Sequence, residues 1–319
     1  MVPKIVVTGQ LPEPALKVLG EAGEVWVAER PLRPDELRER VAGAAALVTM
    51  VGDRVDDSVA EAAGPGLEVV ANVAVGYDNL DVKALSARGV TVTNTPGVLT
   101  EATADLAFGL LLIVTRRLSE GERLLRSRTP WNFSLGFMLG AGLQGRTLGI
   151  VGLGQIGRAV ARRARAFGLS IVYSGRNPAP AEVEAELDAR HLPLDELLRT
   201  ADFVSLHCPL TPQTRHLINA DTLRTMKPGA YLVNTTRGPV VDEPALAEAL
   251  ANGVLAGAAL DVFEKEPEVE PRLLDLDNVV VTPHLGSATV ETRTEMALLA
   301  ARNVAAVLAG EPPLSVVTA

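Results

Sequence analysis

The segment Gly152-Leu153-Gly154-Gln155-Ile156-Gly157 constrains this chain more than any other. It follows an apolar, β-branched run, Thr147–Val151, and leads into Arg158–Phe167, which reads as a helix. Between a strand and a helix, three glycines at this spacing have a mechanical meaning. The first permits a tight turn, the second lets backbone approach a pyrophosphate, and the third lets the helix pack closely. The N-terminus of that helix then offers oriented N–H donors to phosphate charge. The competing reading is a glycine-rich turn that binds nothing.

The same strand–helix alternation runs the length of the chain. Ile5–Thr8, Val25–Ala28, Ala46–Thr49, Leu67–Asn72 and Val90–Asn94 read as strands. Glu13–Leu19, Pro34–Val41, Asp57–Ala63 and Asp81–Arg88 read as the helices between them, several with Pro or Asp near their starts. The rhythm resumes with strands expected at Thr147–Val151, Ser170–Ser174, Phe203–His207, Ala230–Asn234, Leu255–Leu260 and Val279–Thr282. Asp242 before Glu243-Pro244 predicts a helix N-cap, and Asn252-Gly253 suits the end of that helix. At 319 residues the chain exceeds one ordinary core, so two parallel α/β units are expected. One long helix is expected from Glu101 to near Arg128 between the units, and another over Val290–Leu308.

Composition narrows the function classes. A net charge of −9 argues against a nucleic-acid surface, which needs a basic face. Cys208 is the only cysteine, which rules out an intrachain disulfide and a cysteine-based metal cluster. The remaining histidines, His191, His207 and His216, lack ligand spacing, so no metal is expected. The greasy stretch Leu106–Val114 is far short of the roughly 20 residues a membrane span needs. Met1 leads straight into Ile5–Val7 without a cleavage site, so a soluble cytoplasmic protein with no membrane partner is expected.

Four segments at strand ends carry candidate chemistry. Dinucleotide folds selective for NAD place a carboxylate about 20 residues after the glycines, to hold the ribose 2′-hydroxyl. Here that place reads Tyr173-Ser174-Gly175-Arg176-Asn177, with no acid. Arg176 could clasp a 2′-phosphate, with Ser174 and Asn177 adding neutral hydrogen bonds. NADP(H) is therefore expected in preference to NAD(H), with NAD(H) still possible. The other three segments contribute Arg237 (Asn234–Gly238), Glu266 (Asp261–Pro267) and His284 (Thr282–Ser287). In open α/β sheets, ligands bind beyond the carboxyl ends of strands, where these loops could converge. Taken singly, each side chain also has a plain reading, as a surface ion pair or a structural histidine.

Taken together, the motifs resemble the D-isomer-specific 2-hydroxyacid dehydrogenase family over essentially the whole chain, with most likeness to its glyoxylate/hydroxypyruvate reductases. The likeness is carried by Val75–Asn79, Asn94-Thr95-Pro96 through Ala107, Gly152–Gly157, His207–Pro212, Asn234–Gly238, Leu260–Pro267 and Pro283–Thr289. The resemblance implies an α/β fold of two Rossmann-like, doubly wound parallel-sheet domains. A flavodoxin-like substrate domain, 1–99 and 288–319, would be interrupted by a dinucleotide domain, 100–287. It implies His284 as general acid, Glu266 as its carboxylate partner and Arg237 as the cation binding the substrate carboxylate. Val75 and Gly76 match a carboxylate-holding backbone loop. Thr103, Leu153, Gly154, Gln155, Ile156, Pro209, Thr214, Thr235 and Gly286 match cofactor-lining positions, and Asp261 the residue orienting the nicotinamide carboxamide. A homodimer is implied, with an arm at about 100–145 in which Trp131, Phe133 and Phe137 supply apolar surface.

The implied activity is reduction of a small 2-oxo acid, glyoxylate or hydroxypyruvate, to the 2-hydroxy acid. Small groups at Met50–Asp53 suit such substrates. Alternatives are a D-3-phosphoglycerate or other D-2-hydroxyacid dehydrogenase and, in another class, a dinucleotide-sensing corepressor-like binding protein.

Overall fold

The computed structural model describes residues 2–318, which form two compact units. One reaches to Leu99 and resumes at Ser287; the other is Thr100–Gly286. The first holds strands β1 (Lys4–Val7), β2 (Glu24–Val27), β3 (Ala46–Thr49), β4 (Val69–Asn72) and β5 (Thr91–Thr93). All pairs are parallel and the order is β2-β1-β3-β4-β5, the flavodoxin-like winding. Successive side chains on a strand point to opposite faces, so a sheet covered on both sides needs apolar residues at every position. Val6, Leu47 and Val70 accordingly face Leu37, Val41 and Leu85. Ile5, Val7, Val48 and Val69 face Leu19 and the alanine stripe Ala297, Ala300 and Ala301 of the helix Val290–Leu308. That helix has the bounds expected from the sequence, as do the helices Pro34–Val41 and Asp57–Ala63.

The second unit holds β6 (Thr147–Val151), β7 (Ser170–Ser174), β8 (Ala189–His191), β9 (Phe203–Leu206), β10 (Tyr231–Asn234), β11 (Gly257–Leu260) and β12 (Val279–Val281). Its parallel order is β12-β11-β10-β9-β6-β7-β8. Winding reverses between β6 and β9, and such a switch point is where dinucleotide folds bind their ligand. The expected N-cap is present: the Asp242 side chain accepts from Ala245 N–H and opens the helix Glu243–Ala251.

Some expectations need correction. The single helix expected from Glu101 to near Arg128 is two helices, Thr100–Thr115 and Leu118–Arg126. They break at Arg117, which adopts a left-handed φ of 54°. Incoming backbone caps the first helix there: Ala141 N–H donates to Thr115 carbonyl oxygen at 2.8 Å. A side chain at Gly140 would come within 2.3 Å of that oxygen, so the approach requires glycine. β8 and the helices Ala181–Leu187, Leu194–Thr200 and Ala220–Thr225 had no counterpart in the sequence reading. Ala-Arg-His contains no β-branched residue, and each of these helices is seven residues or fewer, too short for a clear period.

Residues after Arg126 up to β6 are irregular and expose Trp131, Phe133 and Leu135, the last at 90%. Trp131 and Phe137 stack with ring centroids 5.8 Å apart. Among the described residues, no helix is long and apolar enough to cross a membrane.

A buried polar residue ties the chain's end to the first unit. Asn303, fully buried, accepts from Leu314 and Ser315 N–H through Oδ1 and donates to Ser315 Oγ, which in turn donates to Asn94 carbonyl oxygen. Asn303→Ala strands these groups and should lower unfolding free energy by about 1–3 kcal/mol in urea titrations. A change near zero would show that water replaces the amide.

Candidate active site

β6 ends in the glycine loop, and each glycine has a distinct geometric reason. Gly152 has φ +98°, and a Cβ there would lie 2.7 Å from Cys208 N. A Cβ at Gly157 would lie 2.3 Å from Gly152 carbonyl oxygen, so the helix Gln155–Ala166 can approach only without one. Gly154, the helix N-cap, faces open space and supplies no side-chain cap. The first-turn N–H groups beside Leu153, Gln155 and Ile156 are therefore left for an external acceptor.

Ser174 closes β7, and its carbonyl oxygen accepts from Gly152 N–H at 2.8 Å. Arg176 and Asn177 stand exposed on the loop that follows. Tyr173 anchors that loop, its hydroxyl accepting from Ala179 N–H and donating to Glu184. Beyond β9, Thr214 Oγ1 donates to Pro209 carbonyl oxygen at 2.6 Å and closes the turn between them. Two buried polar atoms near the switch point, Thr235 Oγ1 and His207 Nδ1, have no hydrogen-bond partner among the described residues. Burial pushes the His207 ring down to about 4, so it is neutral, and pushes the Cys208 thiol up to about 11, which leaves it inert. Open space at the second glycine, an uncapped helix start and orphaned polar atoms at neighbouring strand ends together fit a bound dinucleotide.

Arg237 is placed by Asn234, a residue that the sequence reading did not single out. The Asn234 side chain donates to Arg237 carbonyl oxygen at 3.0 Å and accepts from Thr236 N–H, forming a small turn at the end of β10. Asparagine at a strand end is the available signal, but it is common there. Gly238 then presses on the next loop: a Cβ would overlap the Phe263 carbonyl carbon at 1.8 Å. Glu266, on that loop, accepts from Phe263 N–H through Oε1 and meets His284 Nδ1 through Oε2 at 2.8 Å.

His284 has φ 54°, a left-handed conformation uncommon outside glycine. Asp261 enforces it. Its fully buried carboxylate accepts from Thr282 Oγ1, Leu285 N–H and Gly286 N–H at 2.6–2.8 Å, while its carbonyl oxygen accepts from His284 N–H. A Cβ on Gly286 would sit 3.5 Å from both Asp261 and Thr103, so these three expected cofactor positions do come together.

Val75 and Gly76 lie in the first unit, where Asn94 donates to Val75 carbonyl oxygen and Asn72 to Gly76 carbonyl oxygen, each at 2.8 Å. Among the described residues, neither Val75 nor Gly76 donates its N–H to a protein acceptor. Asp53 points inward, accepting from Thr8 Oγ1 and Met50 N–H, and so shapes the Met50–Asp53 loop from within.

Burial opposes ionisation of Glu266, yet the hydrogen bonds from His284 and Phe263 and the charges of His284 and Arg237 outweigh it. Its carboxyl is held below the usual range. A depressed carboxyl stabilises the fold above its ordinary pKa of about 4.3 and loses that contribution as pH falls through the lower folded value. Below that ordinary value, the parent protein should therefore lose stability with acid more steeply than Glu266→Gln. Thermal midpoints recorded at stepwise lower pH test this, and parallel curves would contradict it.

Comparisons with known proteins agree with this geometry. Residues 108–286 match the model of the D-isomer specific 2-hydroxyacid dehydrogenase NAD binding domain. The glyoxylate reductase of Thermococcus onnurineus is 49% identical, over 99% of this chain and 96% of that one. A Thermus thermophilus protein of known structure superposes with a TM-score of 0.92 at 48% identity, covering 99% of this chain and all of that one. The NADPH-dependent glyoxylate/hydroxypyruvate reductase of Sinorhizobium meliloti, solved with NADP and malonate, gives 0.87 at 38% identity over 100% and 97%. The chain belongs to the D-isomer-specific 2-hydroxyacid dehydrogenase family and is an oxidoreductase acting on CH–OH groups with a nicotinamide dinucleotide cofactor.

Proposed function

We propose that the protein reduces glyoxylate and hydroxypyruvate to glycolate and D-glycerate, with NADPH preferred to NADH. The observation that carries this reading is the His284–Glu266 pair at 2.8 Å, set beside the Arg237 loop whose charge reaches Glu266. Names borne by relatives, glyoxylate reductase in Thermococcus onnurineus and an NADPH-dependent enzyme in Sinorhizobium meliloti, support the substrate and cofactor.

A bound reduced nicotinamide supplies the hydride. Arrival of hydride at the 2-oxo carbon places negative charge on the carbonyl oxygen. In this reading His284 Nε2 gives a proton to that oxygen, and Glu266 at Nδ1 holds the ring in place. Arg237 binds the substrate carboxylate and polarises the carbonyl, favouring the transition state over the ground state. Val75 and Gly76 offer backbone N–H groups suited to a carboxylate, and the first unit is the substrate-binding domain in this scheme. Leu153, Gly154, Gln155 and Ile156 cradle the pyrophosphate, and Thr103, Pro209, Thr214, Thr235 and Gly286 line the cofactor. Asp261 would orient the carboxamide. Arg176, with Ser174 and Asn177, recognises the 2′-phosphate. The exposed aromatic arm around Trp131, Phe133 and Phe137 covers a second copy in a cytoplasmic homodimer.

Initial rates of NADPH and NADH oxidation with glyoxylate, hydroxypyruvate, pyruvate and 3-phosphohydroxypyruvate test the reading. Turnover of the phosphorylated acid alone would overturn it. His284→Ala should chiefly depress kcat, by about 10²–10⁴-fold, whereas Arg237→Ala should damage both kcat and substrate KM. Arg176→Ala should raise KM for NADPH far more than for NADH; equal rises would remove the 2′-phosphate assignment. Gly154→Ala should fold with the parent's stability yet bind dinucleotide weakly, whereas Gly157→Ala should lose stability. Calorimetry and fluorescence titration separate the two, and unimpaired binding by Gly154→Ala would count against the pyrophosphate cradle.

A further inference from the structure

A second histidine–carboxylate contact lies outside the residues given roles above. His216 Nε2 is 2.5 Å from Glu264 Oε1, and the Arg215 guanidinium lies 3.9 Å from the same oxygen. His216, like His284, has a left-handed backbone, with φ 49°. The Glu264 backbone is held as firmly as its side chain: its N–H donates to Glu243 Oε1 at 2.6 Å. Glu243 is itself buried, and burial together with the nearby Glu264 charge pushes its carboxyl above the ordinary range. Burying a carboxylate near a like charge is unfavourable unless donors satisfy it, and the Glu264 N–H is such a donor to Glu243.

The pair joins three loops. His216 N–H donates to Pro239 carbonyl oxygen at 2.8 Å, Ile218 N–H to Val240, and Asp242 N–H back to Ile218, so the segment after Thr214 is zipped to the segment after Arg237. Gly238, the neighbour of Arg237, rests on the backbone of Phe263 and Glu264 with no room for a methyl group. Glu266 stands two residues further along the same loop. The His216–Glu264 contact therefore closes a ring that runs from the Pro209–Thr214 turn through the Arg237 loop to the Glu266 loop.

We propose that His216 and Glu264, backed by Glu243, are positioning residues that hold Arg237 and Glu266 in register with the Pro209–Thr214 turn. They act through the residues they brace, so their loss affects turnover and dinucleotide binding together. A displacement of reacting groups by an ångström is enough to cost orders of magnitude in rate. The inference rests on the reductase reading above for its kinetic part and stands apart from it for dinucleotide binding.

The test compares Glu264→Ala, Glu264→Gln and His216→Ala with the parent by kcat and KM for glyoxylate, NADPH affinity by fluorescence titration, and Tm. Glu264→Ala should lower kcat/KM roughly tenfold to a hundredfold and weaken NADPH binding severalfold. Glu264→Gln, whose amide oxygen still accepts from the imidazole N–H, should restore most of both. If Glu264→Ala does not fold, His216→Ala carries the same measurements from a side chain 37% exposed. Folded alanine variants with a lowered Tm but kcat/KM and NADPH affinity within about twofold of the parent would overturn the proposal. Damage by Glu264→Gln equal to that by alanine would overturn it too. A parent without glyoxylate turnover would instead refute the reductase reading, and NADPH affinity would still decide the role of the pair.

Discussion

The site depends on one buried carboxylate. Asp261 follows β11 and collects donors from Thr282, Leu285 and Gly286, pinning the final loop of the second unit at three points. Desolvation, the largest influence on this group, raises its pKa, and those hydrogen bonds and the His284 charge offset the rise in part. The consequence is geometric. His284 is held in a left-handed backbone conformation that a relaxed loop would leave, and its ring is delivered to Glu266. A group that is unfavourable to bury is kept because nothing apolar could gather three donors at one point.

Much of the fold was legible because parallel sheets need continuous apolar strands, and those of β3, β6 and β7 stand out as such in the sequence. Helix starts were legible where a cap supplied chemistry, as at Asp242. What escaped was set by tertiary contact rather than by local pattern. The break at Arg117 arises from Ala141 and Gly140 arriving at Thr115, about 25 residues away in sequence, a contact that no helical periodicity encodes. The short strand β8 owes its state to pairing with β7, since Ala-Arg-His has no preference for it.

The site divides along the same line. Arg237, Glu266 and His284 were visible as a cation, an acid and an imidazole at ordered strand ends. Their supports were not: Asn234, His216, Glu243 and Glu264 look like ordinary polar residues until the backbone they brace is seen. Side chains that react have recognisable chemistry, whereas those that hold them are defined by what they touch. Glycine shows the same split. Gly152–Gly157 announce themselves by spacing, but Gly238, which allows the loops after β10 and β11 to touch, has no such spacing to mark its role.

The discontinuity of the first unit has a consequence for synthesis. One face of its sheet, bearing Ile5, Val7, Val48 and Val69, is covered in part by the helix Val290–Leu308. As the chain emerges from a ribosome, those strands appear some two hundred residues before their cover does, while Thr100–Gly286 is already complete in itself. Domains fold as units in order of emergence, so the inserted unit matures first. Meanwhile the earlier one waits with part of that apolar face open to water, and to any chaperone that recognises one.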